Sequence, residues 1–328
     1  MAWWLTAVVA AALIYAFANG YQEAGGGIAS VVSTGVLRPS AAVLWTSGSA
    51  VVGSLLYGSA VAATLAGGLI DPLRIDLRTL LVSLVTAGAW LAAMRFAALP
   101  TSAAHAMLGA LVGAVAAQAG TDAVRSGHLA ALTVLLLVAP LLAFALSVLL
   151  ALGATWLLAG ARTRRVERWA RPGQLLSCGL AAMGRGANDV QRVAGVIWLA
   201  LMVAAVSGER PLPPLPMWTV WSCAAAFGIG TLLGGWQLVL WSRDKISRLR
   251  PMDGLAAESA SAITLACASV IGAPVSTAHV TMGGVFGAGA VRGRHLPWSS
   301  LRVVAIWAWG LTLPATAVLG ALLSLPIR

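Results

Sequence analysis

The chain has 328 residues, of which 59% are apolar and only 9% are charged, and its mean hydropathy is +0.89. Soluble globular proteins are about half apolar and a quarter charged, so this composition excludes a soluble fold. The net charge of +11 would suit a nucleic-acid-binding protein, but most of the arginines lie between apolar runs, where the positive-inside rule places them. No nucleic-acid partner is therefore expected.

The apolar runs predict helices rather than strands. Several of them reach the roughly 20 residues that a helix needs to cross a bilayer, and they are continuously apolar, whereas the strands of a membrane barrel alternate. Residues 1–18 lack a basic region and an obvious cleavage site, so we interpret them as a retained first span. The sequence thus predicts an all-α polytopic protein of the cell (plasma) membrane, embedded in the lipid bilayer.

The first half of the chain, residues 1–160, is predicted to contain an interrupted helical stretch, three spans and one segment punctuated by Pro and Gly. In chain order these lie at 2–37, 41–66, 79–97, 100–120 (the punctuated segment) and 129–159. A basic linker at 161–173 precedes the second half, residues 174–328, in which the order repeats. Its segments lie at 174–207, 217–241, 254–271, 272–291 and 299–325.

Two pairs of segments indicate that the halves are an internal repeat, a feature typical of secondary transporters. "LPTSAAHAMLGALVGA" at 99–114 aligns with "APVSTAHVTMGGVFGA" at 273–288, with an offset of 174 residues. "YQEAGGGIASVV" and "ANDVQRVAGVIW" match more weakly and set Glu23 over Asp189. The first alignment pairs Pro100 with Pro274, Ser102 with Ser276 and His105 with His279.

The loop charges predict that the two halves are inverted. The linker 161–173 and the loop 243–253 are basic and are expected on the cytoplasmic side, while the loop from Asp71 to Arg78 has balanced charges and is expected outside. Corresponding loops then lie on opposite faces. This requires 100–120 and 272–291 to enter the membrane and return as re-entrant hairpins, with both termini outside.

Three acids lie within apolar helical segments: Glu23, Asp189 and Glu258. A carboxylate in a membrane is costly, so each is a functional candidate, the alternative being an acid at a helix end that pairs with an arginine or reaches the headgroups. The stretch 174–207 around Asp189 would be about 51 Å long as one helix, against a bilayer core of roughly 30 Å. The stretch must therefore break, tilt or fold back, and its glycines favour a break. A broken helix would offer amides to an anion, and Asn188 and Asp189 would offer oxygens to Na⁺.

The two Pro–Ser segments place hydroxyls at the starts of helices, beside free backbone N–H groups. Ser102, and Ser276 with Thr277, are therefore candidate anion ligands, the alternative being ordinary helix caps. His105 and His279 are either proton carriers or partners of the turn. A Ser–His hydrolase is not expected, because there is no G-x-S-x-G elbow and no orienting carboxylate.

With these motifs the sequence resembles the inorganic phosphate transporter (PiT) family. The resemblance is carried by "GANDVQRVAGVIWLAL" (186–201), "GAPVSTAHVTMGGVFGAG" (272–289), "AAESASAITLACASVIG" (256–272), "LPTSAAHAMLGALVGA" (99–114) and the opening segment 17–45. It implies an inverted-repeat transporter with broken helices and two re-entrant helical hairpins. Phosphate would be held near the midplane and coupled to H⁺ or Na⁺, without a cofactor. By this resemblance the substrate-binding residues are Thr101, Ser102, Asn188, Asp189, Arg192, Ser276 and Thr277, and the coupling-ion residues are Glu23, Asp189 and Glu258.

The sequence departs from the family pattern mainly in its first half. Glu23 and Gly26 stand where the family has Asp and Asn, and Ala103, Ala104 and Ala278 replace hydroxyl residues. A site with fewer oxygens holds Na⁺ less well, which favours proton coupling. Sulfate as the substrate, a non-transporting homologue and a homodimer remain open alternatives.

Overall fold

The computed structural model describes residues 2–208, 211–241, 250–292, 302 and 304–325. This part of the chain is almost entirely helical, and seven of its helices are long and apolar enough to cross a bilayer. The sequence-based prediction of an all-α polytopic membrane protein is thereby confirmed. The helices are α1 Ala2–Ser33, α2 Pro39–Leu56, α3 Ala60–Ala63, α4 Leu77–Phe96, α5 Ala103–Ala119, α6 Ser126–Leu157, α7 Thr163–Ser207, α8 Met217–Trp241, α9 Pro251–Val270, α10 Thr277–Val291 and α11 Thr312–Ser324.

The predicted breaks in the first stretch of each half are wrong, because α1 and α7 are both continuous α-helices. The basic segment expected to be a linker forms the first turns of α7, a helix of 45 residues. The glycines allow close packing rather than a break. A Cβ on Gly186 would lie 1.9 Å from the carbonyl oxygen of Ala50, and one on Gly53 would lie 2.1 Å from that of Met183. Irregular π-helical turns occur instead at Thr64–Gly68 and Ala305–Leu311.

Helices α1 and α7, which the repeat makes counterparts, pack antiparallel. Along α1, Asn19 lies beside Asp189, Gly27 lies against Arg185, and Ser30 accepts a hydrogen bond from Gln174 at 3.3 Å. Residue numbers thus rise along one helix as they fall along the other. This opposite orientation is what an inverted repeat requires.

The punctuated segments do not fold back on themselves, contrary to the prediction. Each is one helix, α5 or α10, and forms the second arm of a longer hairpin whose first arm is α4 or α9. The two hairpin tips, residues 97–102 and 271–276, turn with positive φ at Ala98 (54°) and at Gly272 (75°). The segments Pro100–Ser102 and Pro274–Ser276 therefore end the connections between the two arms, and the second arm begins directly after each serine.

Each hairpin packs on the last helix of the other half through glycines that repeat with the 174-residue offset. A Cβ on Gly113 of α5 would lie 1.9 Å from the Ala317 carbonyl oxygen of α11. Its counterpart Gly287 of α10 would meet the Phe144 carbonyl oxygen of α6 at 2.3 Å. The halves 1–160 and 174–328 are therefore interleaved rather than separate bodies.

The ends of the bundle differ in charge. The C-terminal end of α1, the start of α7 and the start of α9 lie together, because Arg171 donates to the Gly35 carbonyl and the Gln174 amide lies against Gly254. In the described ranges this end carries most of the basic residues, and by the positive-inside rule we predict that it faces the cytoplasm. Of the predicted basic loop 243–253, residues 243–249 lie outside the described residues.

The opposite end holds both ends of the described chain. Arg78 lies over the ring of Trp4 at 5.0 Å, and Gln118 donates to the Ser324 carbonyl at 2.7 Å. Residues near the N-terminus and the end of α11 therefore lie at the same end of the bundle, the end that the loop charges predict to be external.

Candidate functional site at the hairpin tips

The two hairpin tips meet in the interior of the protein. The Ser102 hydroxyl donates a hydrogen bond to the Ser276 hydroxyl at 3.0 Å, and both side chains are buried. Ser102 caps α5 and Ser276 directly precedes α10, so the N-terminal ends of two helices point to one place. The first N–H groups of a helix lack intrahelical partners, and two such ends together form a favourable site for an anion.

A buried ion pair on α7 adjoins the second tip. The Arg192 guanidinium donates to the Asp189 carboxylate and, at 3.2 Å, to the Val275 carbonyl. The Thr277 hydroxyl donates to the other oxygen of Asp189 at 3.0 Å. The structure thus brings together five of the predicted substrate-binding residues: Ser102, Asp189, Arg192, Ser276 and Thr277.

Asn188 braces the same tip through its backbone. Its amide nitrogen donates to the Ala273 carbonyl at 2.8 Å, and its amide oxygen accepts from the Val275 N–H at 3.1 Å. Both ends of the side chain are engaged in this conformation. Asn188 therefore positions residues 273–275 rather than presenting a free ligand.

Thr101, which the resemblance included among the substrate-binding residues, faces away from this cluster. Its hydroxyl accepts from the Trp90 indole at 2.9 Å and lies 3.1 Å from the Thr312 hydroxyl. The Thr101 side chain thus contacts α4 and α11 rather than α7. Sequence position alone does not predict that direction.

The predicted coupling acids lie at different distances from the tips. Glu23 is half-buried and close enough to Asp189 and Arg192 for electrostatic interaction. Glu258 is fully buried but contacts Arg185, with 4.0 Å between Oε2 and Nη1, instead of the tip cluster. Only Asp189 and Glu23 thus adjoin the tips directly.

His105 and His279 lie in the first turns of α5 and α10, each three residues after a tip serine. His105 Nδ1 is 2.7 Å from the Ser102 hydroxyl, so this histidine bonds the turn, one of the two expected roles. The ring of His279 is 5.6 Å from that of His105 and 5.6 Å from that of Trp309. Within the described part of the chain, His279 Nδ1 has no hydrogen-bond partner.

Comparison with known proteins agrees with this geometry. A model of the phosphate transporter family matches residues 19–320. The chain belongs to this family. A probable low-affinity inorganic phosphate transporter of Rhizobium meliloti (strain 1021) is 36% identical over 318 residues, which cover 97% of this chain and 95% of that protein. A protein of the same description from Bacillus subtilis (strain 168) is 30% identical over 318 residues and covers 96% and 94%.

A solved structure, that of a sodium-dependent phosphate transporter, has the same fold. Its TM-score is 0.87 at 19% sequence identity, with 99% of this chain and 98% of that chain covered. Membership in the phosphate transporter family confirms the resemblance found in the motifs. It also places the chain among transporters and not among the enzymes that a Ser–His pair could suggest.

Two residues near the hairpin tips were not predicted from the sequence. The Tyr15 hydroxyl donates to the Ala103 carbonyl at the first tip, at 2.7 Å. Asn19 is fully buried beside Asp189, and neither atom of its amide makes a hydrogen bond of normal geometry within the described ranges. An amide in the middle of an apolar helix is a usable signal for Asn19, but nothing in the sequence distinguishes Tyr15 from an interfacial tyrosine.

Proposed function

We propose that the chain is a secondary transporter that carries inorganic phosphate across the cell membrane by symport with protons and by alternating access. The observation that supports this most strongly is the meeting of Ser102 and Ser276 beside the Arg192–Asp189 pair. Hydroxyls, helix N-termini and a guanidinium are the groups that bind phosphate in proteins.

Arg192 is suited to receive an oxyanion. A guanidinium has five N–H donors, and Asp189 and the Val275 carbonyl engage only some of them. Its Nε is buried without a hydrogen-bond partner in the part of the chain that the structure describes. A buried donor without an acceptor is costly, so a phosphate oxygen at this position would relieve that cost.

Buried carboxylates favour phosphate over sulfate. Phosphate near neutral pH still carries at least one proton and can donate a hydrogen bond to Asp189 or Glu23, whereas sulfate is an acceptor only. A site built around acceptors rejects an analogue that lacks the donor, because its own polar groups are then left unpaired. Sulfate remains the alternative substrate, and it should compete poorly with labelled phosphate for uptake.

The engaged oxygens around Asp189 support proton coupling. Arg192 and Thr277 occupy its two carboxylate oxygens, and the tip backbone occupies the Asn188 oxygen. Na⁺ at Asn188 and Asp189 would have to displace these partners, while a proton on Glu23 or Glu258 would not. The alternative is coupling to Na⁺, because the structural neighbour is described as a sodium-dependent phosphate transporter.

The experiment is uptake of labelled phosphate by the purified full chain in proteoliposomes. We expect uptake from an acidic exterior in the absence of Na⁺, weak competition by sulfate and no uptake by Asp189→Asn. Uptake that needs Na⁺ and no pH gradient would contradict proton coupling. A wild-type protein without any phosphate uptake would support the alternative of a non-transporting homologue.

A further inference from the structure

A second buried cluster repeats the chemistry of the first. Arg185 Nη1 donates to the Thr281 hydroxyl at 3.4 Å and lies 4.0 Å from Glu258 Oε2. The tip cluster combines an arginine, a threonine hydroxyl and a carboxylate in Arg192, Thr277 and Asp189. The second cluster combines the same three groups in Arg185, Thr281 and Glu258.

The spacing of these residues places the second cluster next to the first, on the side of the basic end of the bundle. Arg185 precedes Arg192 by seven residues on α7, which is two helical turns or about 10 Å. Thr281 follows Thr277 by four residues on α10, about 6 Å along that helix. Both displacements lead from the hairpin tips toward the basic, cytoplasmic end of the bundle.

The second cluster is less well satisfied than the first. Within the described residues, neither oxygen of Glu258 makes a hydrogen bond of normal geometry, although only 1% of its surface is exposed. Arg185 is 5% exposed, and the hydrogen bond that it donates to Thr281 is long, at 3.4 Å. Buried polar groups are usually hydrogen-bonded. The unused donors of Arg185 and the unused acceptors of Glu258 therefore suit the binding of a ligand better than the stabilisation of the fold.

The local backbone makes room for Arg185. A Cβ on Gly27 would lie 2.0 Å from Arg185 Nη2, so the guanidinium occupies the space that a larger residue at position 27 would fill. Water-sized cavities of about 10 Å³ adjoin the cluster, one lined by Gly27, Arg185 and Glu23 and one lined by Ser30 and Gly254. A phosphate does not fit into either cavity, so the cluster is closed in this conformation.

The first half has no such cluster. With the offset of 174, the counterparts of Glu258 and Thr281 are Leu84 (258 − 174) and Met107 (281 − 174). Both are buried in the apolar core. Among the described residues, the combination of an arginine, a threonine hydroxyl and a carboxylate therefore recurs on the cytoplasmic side of the tips.

We propose that Arg185, Thr281 and Glu258 form a second oxyanion site, which receives phosphate between the hairpin tips and the cytoplasmic face. The inference rests on the proposed transport of phosphate. In the closed state Glu258 takes the place of the anion beside Arg185. When the arms α9 and α10 move away from α1 and α7, phosphate displaces Glu258 from the guanidinium, and a phosphate hydroxyl donates to the carboxylate.

The first test separates binding at the tips from passage through the second site. Phosphate binding to the purified full chain and phosphate uptake into proteoliposomes are measured for wild type, Arg185→Gln, Arg185→Lys and Arg192→Gln. We expect Arg185→Gln to bind phosphate with nearly wild-type affinity but to lose uptake about tenfold or more, a barrier increase of at least about 1.4 kcal/mol. Arg185→Lys should recover part of the uptake, and Arg192→Gln should lose binding.

Two results would overturn the second site. Wild-type uptake by Arg185→Gln would show that the anion does not need Arg185, and loss of binding together with uptake would place Arg185 in the tip site. Failure of the proposed function is a different result, because the wild-type protein itself would then take up no phosphate.

A second test leaves Arg185 in place, in case its substitution impairs folding. The Cys178 thiol lies 3.8 Å from the Gly27 carbonyl oxygen, next to the Arg185 guanidinium. In the variant Cys223→Ala/Cys267→Ala, an anionic methanethiosulfonate should modify Cys178 roughly tenfold faster than a cationic one, because a buried positive charge concentrates anions. Phosphate should slow the reaction. Equal rates for the two reagents, or no protection by phosphate, would refute the second site.

Discussion

Ser102 and Ser276 form a hydrogen bond of 3.0 Å although 174 residues separate them along the chain. The separation equals the offset of the internal repeat, so each serine contacts its own counterpart. A residue meets its counterpart only near the axis that relates the two halves. The contact therefore marks the centre of the proposed inverted repeat, and the groups that we propose to bind the anion lie around it.

The serine pair gives the first prediction. Ser102→Ala and Ser276→Ala should each weaken phosphate binding by about 0.5–1.5 kcal/mol, the usual value of a hydrogen bond. The double variant should lose less than the sum, because the two hydroxyls share one hydrogen bond. Equilibrium binding of labelled phosphate measures the effect. Thr133→Val on α6 is the control, since that hydroxyl bonds only its own helix, at Leu129, and additive losses in the double variant would contradict the shared role.

The Asp189–Arg192 pair gives the second prediction. Removing one member leaves a buried charge unpaired, so Asp189→Asn and Arg192→Gln should each destabilise the protein by about 3–5 kcal/mol. The double variant should be more stable than either single variant and still fail to transport phosphate. Thermal unfolding in detergent and uptake into proteoliposomes provide the two measurements.

The matched control for this pair is Asp71→Asn, in the loop that is predicted to be external. Asp71 and Arg74 form an exposed ion pair of 3.6 Å, and exposed pairs contribute about 1 kcal/mol or less. A loss of stability in Asp71→Asn as large as that in Asp189→Asn would show that burial of the pair is not what matters.

The repeat made part of the site predictable from the sequence. The alignment of 99–114 with 273–288 identifies Ser102 and Ser276, and the acid in an apolar helix identifies Asp189. Direction was not predictable, because it depends on the turn before each helix. Thr101 therefore faces Trp90 and Thr312, away from the tips.

The helix breaks were mispredicted because a glycine has two structural uses. Gly186 was interpreted as a point of weakness in α7, but it lets the backbone of α2 approach at Ala50. Local sequence cannot separate the two uses, since the neighbouring helix decides which one applies. Arg185 was missed for a related reason: it lies beside "GAND" and looks like a helix-end arginine until the folded chain brings Glu258 to it.

The third prediction concerns the glycines that join each hairpin to the last helix of the other half. Gly113→Ala and Gly287→Ala place a Cβ within 1.9 Å and 2.3 Å of a carbonyl oxygen, so each should cost about 1–3 kcal/mol through overpacking. Gly153→Ala in α6 is the control, because no atom beyond its local backbone lies within 4 Å of the added carbon. It should be neutral or stabilising by up to about 1 kcal/mol. Thermal unfolding followed by tryptophan fluorescence distinguishes them, and equal shifts in all three variants would contradict the proposed packing role.

The fourth prediction concerns Glu23, the acid that replaces the aspartate of the family pattern in the first half. If its carboxylate carries the coupled proton, Glu23→Gln should lose concentrative uptake by about tenfold or more, since the driving proton no longer binds. Exchange of labelled phosphate across a membrane without a gradient needs no net proton movement and should continue. Asp76→Asn makes the same acid-to-amide change at the N-cap of α4, where the carboxylate accepts from the Thr79 N–H at 2.8 Å, and it should leave both activities intact. Concentrative uptake by Glu23→Gln at the wild-type level would exclude Glu23 as the proton carrier and leave that role to Asp189 or Glu258, whereas a parallel loss of uptake and exchange would place Glu23 in phosphate binding.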